Sequence, residues 1–543
     1  MGAQALAPLP AVKLKAFVAT QEAATQLLEF EGELLMGLQS NNARTAEVWR
    51  SDGTVPGTER IHQATYEAYA DVVLTSLGDR VLFISGPSLW STDGTAQRTV
   101  RLRGLTENTA YEMKSLGNLA FLGRRFSSGP LLQSDGTVAG THAVEGAPGE
   151  VWDFAASQGR LWMNASTALN GSEPWTTDGT PGSTRLVLDI DPGPYPRDGN
   201  PGDFVPLRGF TYFRATESNS GTELWRSDGT AEGTALAVDI GPGDSYPVQL
   251  FPWKDHVYFW LEGPGYSEAF YRSDGTPAGT HRVGTSVTSG SLDAEYVAWG
   301  DYLFFNGMDS AGDELWRTDG TTEGTVRVAD LIPGQAGSLP ASLRLMSPTG
   351  PLVFVAATPD TGRELWRLDS PLGTPTLAAD VFAGTEGSSP ENLTVVGTDL
   401  FFTAWDATGN GLFKLSGLVG GTEMDGGTEF DGGTDGGMEP DAGEEDGGTL
   451  PFDGGTELDG GFELDAGTDA GQTPSDSGTE PDAGSADAGS TDAGSRDAGL
   501  ADAGTGEPPP DSGCGCQSTS ASVPWSLALM GLFFSARRRS RQK

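Results

Sequence analysis

Acid–base or nucleophilic catalysis needs a proton carrier held beside a nucleophile, and this chain offers few candidates for that work. Its four histidines, His62, His142, His256 and His281, are far apart and sit in unlike contexts. His256, within Lys254-Asp255-His256-Val257, leads from a turn into an apolar run, where a surface or hydrogen-bonded histidine is expected rather than a base. No nucleophile elbow, His-Glu-x-x-His helix or phosphate-cradling glycine loop occurs with the strand and helix it would need. Carboxylates are abundant instead. The chain carries 75 Asp and Glu against 33 Lys and Arg, a net charge of −42, which argues against nucleic acid as a partner and against an anionic surface for the main body. Of these acids, 25 lie between Leu418 and Asp511 with a single arginine. The 50 acids elsewhere allow a glycosidase-type carboxylate pair by number alone.

Two families of oxygen-rich loops could hold a hard cation. One reads Asp189-Ile-Asp-Pro-Gly, Asp239-Ile-Gly-Pro-Gly, Asp330-Leu-Ile-Pro-Gly and Asp380-Val-Phe-Ala-Gly; the other Asp309-Ser-Ala-Gly, Asp360-Thr-Gly-Arg and Asp406-Ala-Thr-Gly. Calcium takes six to eight oxygens, so Asp189, Asp239, Asp309, Asp330 and Asp360 are the candidate ligands. Their density is below that of an EF-hand, and turn chemistry explains them equally well. No other cofactor is expected.

The elements that must position these residues are repeats. The phrase Glu314-Leu315-Trp316-Arg317-Thr318-Asp319-Gly320-Thr321-Thr322-Glu323-Gly324-Thr325 recurs with its Asp at Asp52, Asp93, Asp135, Asp178, Asp228, Asp274, Asp319 and Asp369, at gaps of 41 to 50 residues. Its aromatic is Trp49, Trp90, Trp175, Trp225, Trp316 and Trp366, with Leu132 and Tyr271 in the third and sixth copies. A period of about 45 residues is that of four-stranded propeller blades. Asp-Gly is a strong turn signal, because Gly accepts positive φ and Asp closes onto nearby amides, so the Asp is expected to shape a hairpin and the Trp to pack on a neighbouring blade.

Each unit reads as four short strands. The second is the most apolar, as in Val81-Leu82-Phe83-Ile84 and Tyr302-Leu303-Phe304-Phe305, and suits burial on both faces. Helix is nearly absent. A ninth unit, Glu391 to Lys414, has no fourth strand, and the segment Val12 to Val18 has no unit of its own. Together they would complete one blade and seal a ring of nine. A ring of eight with a stray unit, or two smaller lobes, stays open.

Three regions follow: a β-propeller over 1–416, a disordered Asp/Gly/Ala-rich acidic linker over 417–512, and a tail over 513–543. Aromatic and β-branched residues nearly vanish from the linker, so no core offsets chain entropy. Its reach as a Gly-rich coil is roughly 55 Å. The tail runs Cys514-Gly515-Cys516, then an apolar stretch from Ser520 to Ala536, then Arg537, Arg538, Arg539 and Arg541. That stretch is about the minimum for one membrane span, and the arginines would hold its end in the cytoplasm. No signal peptide is visible at the start, although Gly2-Ala3-Gln4-Ala5 looks like the end of one, and a start truncated from a longer chain is expected.

The repeated phrase resembles the ELWxxDGT repeat of secreted and surface proteins of myxobacteria and related bacteria. The tail resembles the myxobacterial C-terminal sorting signal of the MYXO-CTERM type. The second resemblance implies recognition by an intramembrane sorting protease, cleavage near Cys514 and Cys516, and delivery to the cell surface. An uncut tail anchor, or a short disulfide between the two cysteines, is the alternative. The function expected is a non-enzymatic surface protein that binds polysaccharide, matrix or a protein partner. The alternatives are a polysaccharide hydrolase or lyase with a carboxylate site at the propeller mouth, and a purely architectural component. An enzyme should gather unusual carboxylate, Tyr and Arg residues from several blades, whereas the sequence displays regular, repeat-wide ones.

Overall fold

A computed structural model of the chain describes residues 7–18, 21–66, 72–106, 111–124, 129–193, 197–264, 268–290 and 295–419. The linker from 420 onward, Cys514, Cys516, the apolar stretch and Arg537, Arg538 and Arg539 lie outside the described residues. Among those described, one three-residue 3-10 turn, Ala96–Arg98, interrupts an otherwise all-β chain. No helix there is long and apolar enough to cross a membrane.

The described strands form nine four-stranded antiparallel units, here called blades: blade 1 over 22–65, blade 2 over 73–104, blade 3 over 111–143, blade 4 over 150–186 and blade 5 over 202–238. Blade 6 covers 247–282, blade 7 covers 296–327 and blade 8 covers 341–379. Blade 9 takes three strands from 391–415 and its fourth, Ala11–Ala16, from the other end of the chain, with Lys13 opposite Phe413. Blades 6 and 7 are fused into one sheet by a strap, Thr288–Ser289, which pairs with Ala269 on one side and with Gly307 and Met308 on the other.

Within each blade the second strand is the best buried. Val81, Leu82 and Phe83, Phe259 and Trp260, and Phe304 and Phe305 are fully enclosed, as continuous apolar runs require. The cores lie between blades. Leu14, Leu34, Met36, Phe401 and Leu412 join blade 9 to blade 1; Leu343, Phe304 and Phe354 join blade 7 to blade 8. Nine such clusters link every blade to the next and the ninth back to the first. The arrangement is propeller-like. First strands of adjacent blades also bond directly. Gln26 Nε2 donates to Leu74 O at 3.0 Å while Leu74 N donates to Gln26 Oε1, and Arg344 Nε donates to Leu393 O at 3.0 Å.

Strand direction gives the ring two unlike faces. The interblade loops and the turns between second and third strands lie on one side, called upper here. The turns between first and second strands, and the Asp-Gly-Thr turns after the third, lie on the lower side.

Candidate ligand-binding face

The repeated Asp-Gly-Thr phrase is a turn device of the lower face. In the Asp319 copy, Oδ1 accepts from Thr321 N at 2.8 Å and Thr321 Oγ1 at 2.7 Å, and Thr325 Oγ1 donates to Thr321 O. The same pair of bonds closes at Asp52, Asp93, Asp135, Asp178, Asp228 and Asp274. These bonds hold the carboxyls below their ordinary range, Asp178 at about 2. Gly324 is required because a Cβ there would run into the Asp319 carboxyl. Asp369 differs. Ser370-Pro371 replaces Gly-Thr after it, so no such turn forms and Asp369 accepts from Arg367 Nε at 2.7 Å. Trp49, Trp90, Trp175, Trp225, Trp316 and Trp366 each pack in the core shared with the preceding blade.

The calcium candidates are dispersed. Asp189 accepts from Asn170 Nδ2 at 2.9 Å, and Asp239 and Asp360 are exposed. Arg327 sits between Asp309 and Asp330, at 3.2 and 3.6 Å, so a guanidinium already occupies the space a cation would take. No group of three or more metal-ligating residues forms among the described residues. The histidines do not converge either. His62 packs against Trp90 and Phe83, and burial pushes its pKa down to about 4.

A role missed in the sequence belongs to the Glu of the repeated phrase. Glu173, Glu223, Glu314 and Glu364 are buried and clasp the interblade loop that follows. Glu364 accepts from the N–H groups of Val381, Phe382 and Ser388 and from Ser388 Oγ at 2.6 Å; Glu223 accepts from Ile240 N, Ser245 N and Ser245 Oγ. Burial raises all four carboxyls, Glu173 to about 8, against the pull of the donated bonds. The readable signal was co-occurrence. Glu two residues before Trp accompanies a following Ser-x-Pro in blades 5, 7 and 8, and Gly199-Asn200-Pro201 in blade 4.

These clasped loops deliver the next first strand in a strained form. Asn200, Tyr246, Leu339 and Ser389, each before a proline, have φ of 44 to 52°, and Asp203, Gln249, Ser342 and Asn392 have φ of 56 to 59°. The second set lies in β-bulges of the first strands. Each left-handed non-glycine costs about 1 kcal/mol or more, and such strain concentrates where a side chain is needed. Four polar side chains thus stand where glycine would be relaxed, around the upper mouth of the ring.

Beside them is an irregular group drawn from three adjacent blades and the loop that follows the third. It comprises Glu112 and Lys114 (2.8 Å apart), Asp153, the pair Arg214 and Asp203 (2.8 Å), and Tyr246, whose ring lies 5.6 Å from the Arg214 guanidinium. Burial lifts the Asp153 carboxyl, Asp203 and Glu112 lift it further, and Arg214 and Lys114 oppose them. Trp152, the extra residue of a bulge in blade 4, is 48% exposed; Tyr246 is 37% and Trp405 39% exposed. These three exposed aromatic rings all belong to the upper side, whereas the exposed apolar residues of the lower turns are Val55, Val138 and Leu372.

No family model matches the chain, and no curated protein matches it. Among solved structures it is similar to a puromycin hydrolase mutant complexed with PGG, at 13% identity and a TM-score of 0.37, over 71% of this chain and 58% of that one. It is also similar to a Mycobacterium tuberculosis puromycin-hydrolyzing peptidase, at 12% identity and 0.36, over 74% and 61%. A chain of a nidogen/laminin complex gives 12% identity and 0.26, over 48% and 96%. The chain spans about three-fifths of the hydrolase chains it matches, and at these scores the likeness carries no functional argument.

Proposed function

We propose that the chain is a nine-bladed β-propeller displayed at the bacterial surface on its acidic linker, binding polysaccharide through the upper face. The observation that supports this reading is the placement of Trp152, Tyr246 and Trp405 on one side of the ring, beside the polar bulge residues Asp203, Gln249, Ser342 and Asn392. Exposed aromatic rings stack on the apolar faces of sugars, and flanking amides, hydroxyls and carboxylates take their hydroxyls. The tail from Cys514 onward fits sorting by an envelope protease, followed by anchoring or release.

The full chain on a polysaccharide array tests the reading. Saturable binding to one glycan class, lost in Trp152→Ala and unchanged in Val138→Ala on the lower face, is the expected result. Binding that survives Trp152→Ala and Tyr246→Ala together would remove the upper face from the proposal. A second reading, cleavage of a polysaccharide by a hydrolase or lyase, is favoured by the Asp153 carboxyl, which burial lifts beside Asp203. Product release on the same array, abolished by Asp153→Asn, would establish it.

A further inference from the structure

The repeat tryptophans divide into two kinds. Among the described residues the indole N–H groups of Trp175, Trp225, Trp316 and Trp366 are buried with no acceptor, whereas Trp49 Nε1 donates to Glu47 Oε2 at 2.8 Å and Trp90 Nε1 to Ser85 O at 3.3 Å. The orphaned four are those whose Glu, two residues earlier, clasps the loop that follows: Glu173, Glu223, Glu314 and Glu364. Glu47 makes the bond that these four withhold. The backbone is the same in both cases. Glu47 and Trp49 lie opposite Leu38 and Met36, Glu223 and Trp225 lie opposite Ala215 and Phe213, and each strand shifts register against its outer neighbour just before the Trp. Residues two apart in a strand share a face, so the bond seen in blade 1 is open to the other four carboxylates. A buried donor left without a partner opposes the docked loop. So does the backbone that the loop imposes: in blade 5, Tyr246 and Gln249 have φ of 52 and 56°.

We propose that these Glu–Trp pairs are two-position latches. With the loop docked, Glu223 holds Ile240 N, Ser245 N and Ser245 Oγ, and Trp225 goes without. With the loop released, Glu223 takes the indole N–H as Glu47 does, and Tyr246 and Gln249 relax out of the left-handed region. Three loop bonds set against one indole bond and two relaxed residues keep the docked form in the majority and the released form within thermal reach. The docked form presents Tyr246 and Gln249 at the upper mouth, so a ligand that touches them there shifts the latch toward docking. The latch itself does not depend on what that ligand is.

Hydrogen exchange of the full chain, followed at the Ile240 and Ser245 amides, tests this, because those protons are exposed only when Glu223 lets go. Trp225→benzothienylalanine keeps the shape of the ring and puts sulfur in place of the N–H. It relieves the docked form of an orphan donor and deprives the released form of its bond. Exchange at both amides should therefore slow about threefold to tenfold relative to the Phe210–Glu217 strand of the same blade. Ser245→Ala weakens the docked form alone and should speed the same exchange severalfold. Trp49→benzothienylalanine, where the bond is standing, should instead lower the denaturation midpoint. A merely packed indole would not give opposite signs at Trp225 and Trp49. Exchange that is unchanged or faster in the Trp225 variant overturns the latch. So does a Ser245→Ala chain that exchanges at the unaltered rate, or a Trp49 variant with an unaltered midpoint.

Discussion

A carboxylate buried to hold a loop behaves unlike one that shapes a turn in water. Glu364 serves three backbone N–H groups and a hydroxyl at once, so Glu364→Ala should cost on the order of 3–5 kcal/mol, read as a fall in the chemical-denaturation midpoint. Glu173 carries a pH signature as well. Its folded pKa, about 8, lies above its ordinary value, so the folded state holds the proton more tightly. The stability it contributes is complete below about pH 4.5 and is lost as pH rises toward 8. Melting temperature should therefore decline across that window, and Glu173→Gln should flatten the slope while lowering the whole curve. The Asp turns were legible in the sequence because the signal is local: Asp, Gly and Thr bond within a few residues of one another. The Glu clasp left only a co-occurrence, because its partners lie 17 to 26 residues downstream and its burial arises only when a loop folds over it.

Strands could be read from apolar runs, and the second strands expected at Val81 and Tyr302 are both present, as Arg80–Ile84 and Tyr302–Asp309. Register within the first strands could not. Their bulges depend on the preceding loop, which explains why Asp153 and Asp203, whose charges act on each other, carried no sequence signal. The strap between blades 6 and 7 escaped notice for a related reason. Blade 6 has Ala269 in place of the clasping Glu, and its loop is held by backbone pairing instead. Gly307 makes room for it, since a Cβ there would lie 2.7 Å from Val287 Cγ2 and 3.1 Å from Trp316 Cδ1. Gly307→Val should displace the strap. Amide exchange of Thr288 and Ser289 should then accelerate by orders of magnitude, with blades 1 to 4 unaffected.

At the scale of the ring, stability depends on closure. The strand Ala11–Ala16 places Leu14 in the core between blades 9 and 1, while Lys13 Nζ donates to Asp406 Oδ1, Thr408 Oγ1 and Gly409 O at 2.7–2.8 Å. Deleting residues 1–18 should bare the edge of the Gly409–Leu415 strand. Size-exclusion chromatography should show association through that edge, and limited proteolysis should cut first in blades 9 and 1. The same closure sets a clock on biosynthesis. Lys13 and its partner Phe413 are 400 residues apart in the chain, so the strand Ala11–Ala16 emerges from the ribosome roughly 20–80 s before the strand it pairs with, at ordinary elongation rates. During that interval the two lysines in Ala-Val-Lys-Leu-Lys-Ala repel a second nascent copy of the same strand, and the charges that later grip Asp406 and Glu22 first act as a chaperone written into the sequence.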